Sequence, residues 1–266
     1  MANSRTLGFY VASRFLLGIL VTQIVLAVLI FLIDFVELLR QSGSLGEVPI
    51  TTIIMIAILR LPAYAEFLIS FAVLAFFVNL LAAFLAMLAI AFYVIVYTML
   101  MKRTTPQNIV IGGAAGALPP VIGWVAATGS VGFEPLVLFL IIFLWTPPHF
   151  WALSLRIAKD YAAAGVPMLP VVRGVPETTR QIALYTVLLV AISLVLFAVA
   201  RMGLIYLATA LILGAIFLWQ AYRLWRVGTS PDASTAGAIR LYRYSITYLS
   251  LLFLAIAVDA IIVVPV

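Results

Sequence analysis

Runs of about twenty apolar residues, separated by short polar stretches, constrain this chain more than any other feature. They fall near residues 15–33, 53–77, 80–100, 108–127, 136–155, 182–200, 203–222 and 244–264. As a helix, a run of that length crosses the roughly 30 Å hydrocarbon core of a bilayer. The expected fold is therefore all-α, a polytopic membrane helix bundle of about eight transmembrane helices, with no loop long enough for a soluble domain. Composition agrees: 66% of residues are hydrophobic and 9% charged, against roughly a quarter charged in soluble domains. The stretch Leu61–Met101 is too long for one span and divides near Phe76–Asn79. Longer connections are expected at 156–181 and 226–240, the latter a loop with Gly228, Ser230 and Pro231.

A net charge of +6 would point a soluble protein towards nucleic acid, but here the basic residues sit at span ends and in loops. Lys102, Arg103, Arg156, Lys159, Arg173, Arg180, Arg223, Arg226, Arg240 and Arg243 mark one face, which the positive-inside rule makes cytoplasmic. The segments 128–135 and 201–202 carry only Arg201 and belong to the other face. Cysteine is absent, which excludes disulfides and thiolate metal sites. Arg5 and Arg14 precede nineteen uncharged residues, Phe15–Ile33, which read as a retained anchor rather than a cleaved signal. The charge signals conflict, however. Lys102 and Arg103 inside require the acidic loop with Asp34, Glu37 and Glu47 to be inside, whereas Arg5 and Arg14 favour an inside N-terminus. Native sequences keep such signals consistent, so residues 1–75 and 76–266 are expected to have different origins.

Chemistry is expected between Tyr97 and Gly174, where ionisable residues, prolines and the lone histidine collect. An ionisable group near hydrocarbon costs about 2.5–3.5 kcal/mol at a helix centre, so such groups tend to face a cavity that uses them. Asp160 reads either as a metal ligand or as a solvated aspartate paired with Lys159 and Arg156. Lys102 and Arg103 suit an anionic headgroup and serve equally as a membrane anchor. Asn108, two residues after Pro106, reads as a helix cap or a ligand contact. His149 follows Pro147-Pro148, whose missing amide hydrogens are expected to break or kink the helix and free carbonyls towards a cavity. Trp145, Phe150, Trp151, Tyr93 and Tyr97 read as an interfacial aromatic belt or as the wall of a site. Gly112-x-x-x-Gly116 has the spacing that lets helices approach closely, not that of a phosphate loop.

Several ordered runs carry a family resemblance. They are Tyr97-Thr98 with Lys102-Arg103, Asn108–Gly113, Leu118–Trp124, Trp145–Leu153, and Asp160-Tyr161 leading to Gly165–Val171. From about residue 76 the chain resembles the protoheme IX farnesyltransferase (heme o synthase) family of intramembrane prenyltransferases. The resemblance implies transfer of a farnesyl group from farnesyl diphosphate to the 2-vinyl group of protoheme IX, on the cytoplasmic side of a bacterial inner membrane. It implies Mg²⁺ held through diphosphate at Asp160. Lys102, Arg103 and Arg156 would meet leaving-group charge, Asn108, Tyr97, Tyr161 and Trp151 would bind substrate, and His149 would contact heme b. Farnesyl diphosphate, heme b, the bilayer and other membrane enzymes of heme synthesis are the implied partners, and nucleic acid is not among them. The family's first Asn/Asp-rich motif has no counterpart here, apart from Asp34 and Glu37 at i,i+3 spacing, so the prenyltransferase portion is expected to be N-terminally incomplete and weak or inactive alone. Residues 1–75, through Tyr10, Arg14-Phe15, Asp34–Arg40 and Leu59–Pro62, resemble the opening spans of a lipopolysaccharide-export permease subunit. A non-catalytic transport component and a wrongly joined gene product are the rival readings.

Overall fold

The computed structural model describes Thr51, Ile54, Met55, residues 79–230 and residues 234–262. Asp34, Glu37 and the first two expected spans lie outside these residues, Ile54 and Met55 apart, as does most of the permease-like segment. The chain divides into two compact units, Met1–Ala83 and Phe84–Val266, and the second carries the site.

Among the described residues every regular element is helical. Helix α1 (Leu80–Ala91) continues as a π-helix, Phe92–Met101. Helices α2 (Asn108–Gly116) and α3 (Pro119–Thr128) form the next span, divided at Ala117-Leu118 before the Pro119-Pro120 pair. Then follow α4 (Phe133–Arg156), the short α5 (Ala158–Ala163), α6 (Leu169–Val199), α7 (Leu204–Gly228) and α8 (Ala238–Ile262). Six of the expected spans are thereby present as helices long and apolar enough to cross a membrane. This part of the chain is a multi-pass membrane protein.

Two expectations are corrected. Pro147 and Pro148 lie inside α4 without ending it. Proline's fixed φ is compatible with a helix, but each ring crowds the carbonyl four residues back and each missing donor leaves that carbonyl, of Phe143 or Leu144, without its usual partner. The segment 156–181 is not a plain loop: it holds α5 and the opening of α6, broken at Gly174 with φ 76° and ψ 180°. Only glycine enters that conformation cheaply. Thr178 Oγ1 donates to the Gly174 carbonyl at 2.7 Å, and Thr179 Oγ1 lies 3.1 Å from the Val175 and 3.0 Å from the Pro176 carbonyl oxygens, which restarts the helix.

Helix α4 is the hub, packing on α2, α3, α6 and α8, while α7 lies between α6 and α8. Fully buried Ile141, Ile182, Leu189, Tyr206, Phe217, Leu241, Tyr248 and Leu252 form the core. Outward-facing residues such as Leu136, Leu188, Ile212 and Leu254 are exposed and apolar, as lipid contact requires. Close helix approach needs small residues. A Cβ at Gly214 would stand 2.8 Å from Val190 Cγ1, and one at Gly228 would stand 2.5 Å from Thr179. Buried hydroxyls tie the same helices together: Tyr206 donates to the Ser193 carbonyl at 2.7 Å and Tyr248 to Ser193 Oγ at 2.9 Å. Asp259 of α8 accepts from the amides of Gly203 and Tyr206, closing the N-terminus of α7 from outside that helix.

Candidate active site

Six consecutive crossings in alternating direction would put the connections that follow Met101, Arg156 and Gly228 at one face of the bundle. That face gathers Lys102, Arg103, Arg156, Lys159 and Asp160. Arg201 lies at the other face.

The first half of the site is built on close packing around two glycines. A Cβ at Gly112 would stand 2.3 Å from Tyr97 Cδ2, so the Tyr97 ring packs directly against α2. At Gly113 a Cβ would stand 2.9 Å from Thr146 Cγ2, which brings α2 onto α4 one turn before His149. Gly116 has open space where a side chain would be, so the expected Gly112/Gly116 pair is in fact Gly112 and Gly113. Tyr97 also lies against Tyr93, with ring centroids 5.1 Å apart, and within electrostatic range of Tyr161 on α5. Asn108 does not cap α2, whose N-cap is Gln107. Instead its Nδ2 donates to the Lys102 carbonyl at 3.1 Å, closing the loop that presents Lys102 and Arg103. Asn108 is 1% exposed, and its Oδ1 is a buried acceptor without a partner. Such an orphan is costly unless something arrives to use it.

Asp160 is exposed near the start of α5, and among the described residues its carboxylate makes no hydrogen bond or ion pair, so of its two readings the pairing with Lys159 and Arg156 is not formed. No group of three or more His, Asp or Glu gathers among the described residues. The protein groups described here do not build a metal cage. Asp160 can supply one ligand to a cation that brings the rest of its shell with it, as Mg²⁺ does with phosphates and water.

The second half of the site is aromatic. His149 is 8% exposed and lies between Trp145 (centroids 4.2 Å apart) and Tyr242 of α8 (4.7 Å), with the Phe150 ring edge-on at 5.1 Å. Its Nδ1 lies 2.7 Å from Ser245 Oγ, and Trp145 Nε1 donates to the Ser245 carbonyl at 2.7 Å. His149 is seven residues before the end of α4 and Ser245 seven after the start of α8. Both therefore sit about 10 Å inside the basic end. Trp151 turns away into the core at 1% exposure, edge-on to Tyr185, with its Nε1–H unpartnered. Here it packs α4 on α6 instead of lining an open surface.

Lys102, His149 and Asp160 are not bonded to one another. Lys102 and His149 are linked through packing, from the Lys102–Asn108 loop along α2 to Thr146 and so to α4. Two cavities, of about 460 Å³ between α6 and α7 and about 190 Å³ between α7 and α8, include none of the three. Sequence reasoning missed Ser245 and Tyr242, weakly polar positions in the last span whose importance comes only from a contact across almost a hundred residues.

The sequence profile of the UbiA prenyltransferase family matches residues 59–246, which enclose every residue of this site. The chain belongs to the UbiA prenyltransferase family. Among its relatives, a protein named protoheme IX farnesyltransferase from Cutibacterium acnes is 56% identical over 196 residues, covering 73% of this chain and 58% of that protein. One of the same name from Gloeobacter violaceus is 54% identical over 192 residues, covering 72% and 62%. The UbiA-family chain thus spans about three-fifths of these relatives' length. A solved structure described as digeranylgeranylglyceryl phosphate synthase in membranes superimposes with a TM-score of 0.63, over 87% of this chain and 80% of that one. At 18% identity, that likeness speaks for the UbiA fold alone. None of these relatives carries the transport name of the rival reading.

Proposed function

We propose that this chain transfers a farnesyl group from farnesyl diphosphate to the vinyl group of protoheme IX, with water adding to give heme o. The reading is supported above all by identity of 54–56% over more than 190 residues with proteins named protoheme IX farnesyltransferase. Lys102, Arg103 and Arg156, at the basic end, would meet the negative charge that develops on departing diphosphate. A divalent cation entering with the diphosphate, Mg²⁺ in this reading, would be held at Asp160 and would spread that charge further. Asn108 Oδ1 would accept a hydrogen bond from a bound group, Tyr97 and Tyr161 would flank the allylic chain, and His149 would meet heme from within the bundle. The basic face is then cytoplasmic and the membrane a bacterial inner membrane, where other enzymes of heme synthesis would supply heme and take up the product.

The test uses two proteins in membrane vesicles given heme, labelled farnesyl diphosphate and Mg²⁺. The chain as it stands is expected to label heme more slowly than the Cutibacterium acnes relative, because the first Asn/Asp-rich motif has no counterpart in it. A chimera placing the front of that relative before residues 76–266 is expected to approach the relative's rate. A well-folded chimera that leaves heme unlabelled would refute the assignment.

A further inference from the structure

We infer that Ser245 is a positioning residue that holds His149 as the Nδ1–H tautomer, so that Nε2 offers a lone pair to the iron of the heme substrate. The inference deepens the proposed function and rests on heme being what this site receives.

The argument is one of proton counting. Ser245 Oγ lies 2.6 Å from the Tyr242 carbonyl oxygen and 2.7 Å from His149 Nδ1. A hydroxyl has a single proton to give. A carbonyl oxygen has none, so two oxygens 2.6 Å apart require the serine proton between them. Ser245 must then accept from His149, and Nδ1 carries the hydrogen. In the neutral imidazole Nε2 is left as the basic nitrogen. Nε2 has no partner among the described residues. Nor is it one of the fully sealed orphan atoms, unlike Trp151 Nε1, so it keeps some exposure.

The ring is also fixed in plane. Trp145 and Tyr242 stack on its two faces at interplanar angles of 20° and 29°. Trp145 is itself pinned to the Ser245 carbonyl. Residue 245 therefore orients the imidazole twice, through its side chain and through its backbone. A lone pair selects among the parts of a heme: it cannot donate to a propionate, which is itself an acceptor, but it is the donor that iron takes from neutral imidazole. An Nδ1–H···O bond is the outer-shell partner that fixes tautomer and raises ligand basicity at metal-binding histidines.

His149 is the only histidine, so the whole chain labelled with ¹⁵N-histidine and held in nanodiscs gives one pair of ring signals. At pH 8 the wild type is expected to show a protonated Nδ1 and a bare Nε2. Ser245→Ala should give a mixture or the opposite tautomer, and Ser245→Thr should restore the original. Titrated with hemin, the wild type should give the absorption spectrum of imidazole-ligated heme, His149→Ala should lose it, and Ser245→Ala should bind about 10–100-fold more weakly. If Ser245→Ala does not fold, Ser245→Cys, a poorer acceptor of similar size, is expected to weaken hemin in the same way. An unchanged tautomer or unchanged hemin affinity in the folded Ser245 variant overturns the positioning role. A hemin spectrum indifferent to His149→Ala overturns the iron contact. Neither readout needs turnover: a chimera that leaves heme unlabelled removes the proposed function, whereas labelling by a chain that fails the tautomer or hemin test removes this inference alone.

Discussion

Asp259 offers the best-determined energetic test of the bundle. It is 5% exposed near the end of α8, where Oδ2 accepts from the amide of Gly203 and Oδ1 from that of Tyr206 at 3.3 Å. Gly203 is the N-cap of α7 and no side chain of α7's own caps it, so this carboxylate is the cap, supplied by another helix. Replacing Asp259 with alanine leaves two buried donors unsatisfied. Each costs about 1–3 kcal/mol, the longer bond at the low end, and the lost negative charge at a helix N-terminus adds about 0.3–1 kcal/mol. The expected loss is about 2–5 kcal/mol. Asparagine keeps one acceptor and should lose roughly half as much. Reversible unfolding in mixed dodecyl sulfate and maltoside micelles, followed by circular dichroism, measures both. Because Asp259 lies fourteen residues beyond Ser245, about 21 Å along the helix, hemin binding per folded molecule should be unchanged. An alanine variant within about 0.5 kcal/mol of wild type, the range of ordinary surface changes, would show that the carboxylate is not the cap it has been taken to be.

Three further outcomes follow from the geometry. Asp160→Ala should leave the unfolding midpoint within about 0.5 kcal/mol, since its carboxylate is exposed and unpartnered, yet lower farnesyl transfer by the chimera at least about tenfold; equal transfer rates would remove its role. Gly228→Ala forces a Cβ to within 2.5 Å of Thr179 and should cost about 1–3 kcal/mol by overpacking, recovered in part by adding Thr179→Ala; independent, additive losses would contradict the contact. Gly112→Ala must push the Tyr97 ring back by roughly an ångström, a displacement worth up to about a hundredfold in rate when the group positions substrate. In a Tyr97→Ala background the same change should do almost nothing, and a loss of equal size there would mean that Tyr97 is not the route of the effect.

Much of the bundle could be read from the chain because hydrocarbon is an unforgiving solvent: apolar length and flanking charge locate 80–101, 108–128 and 133–156 within a few residues. What failed was local. Pro147-Pro148 looks like a break, but a helix packed on four others continues through the pair and forgoes two hydrogen bonds. The opening of α6 was hidden because Gly174 and Pro176 are loop signals to a reader who cannot see Thr178 and Thr179 recapturing the carbonyls. Trp151 and Trp145 are indistinguishable as letters, although one fills the core and the other braces the histidine. Lys102, Arg103, Asn108 and Asp160 stood out as polar groups in an apolar chain. Ser245 did not, since one hydroxyl in a span is ordinary and its partner lies 96 positions earlier.

That separation bears on how the protein is made. Trp145 and His149 leave the ribosome long before Tyr242 and Ser245, and the imidazole has no Ser245 hydroxyl to lean on until α8 has entered the bilayer and docked against α4. Biosynthesis therefore carries its own safety catch: a chain cut short before residue 242 displays a histidine without the Tyr242 and Ser245 contacts that hold its ring in place.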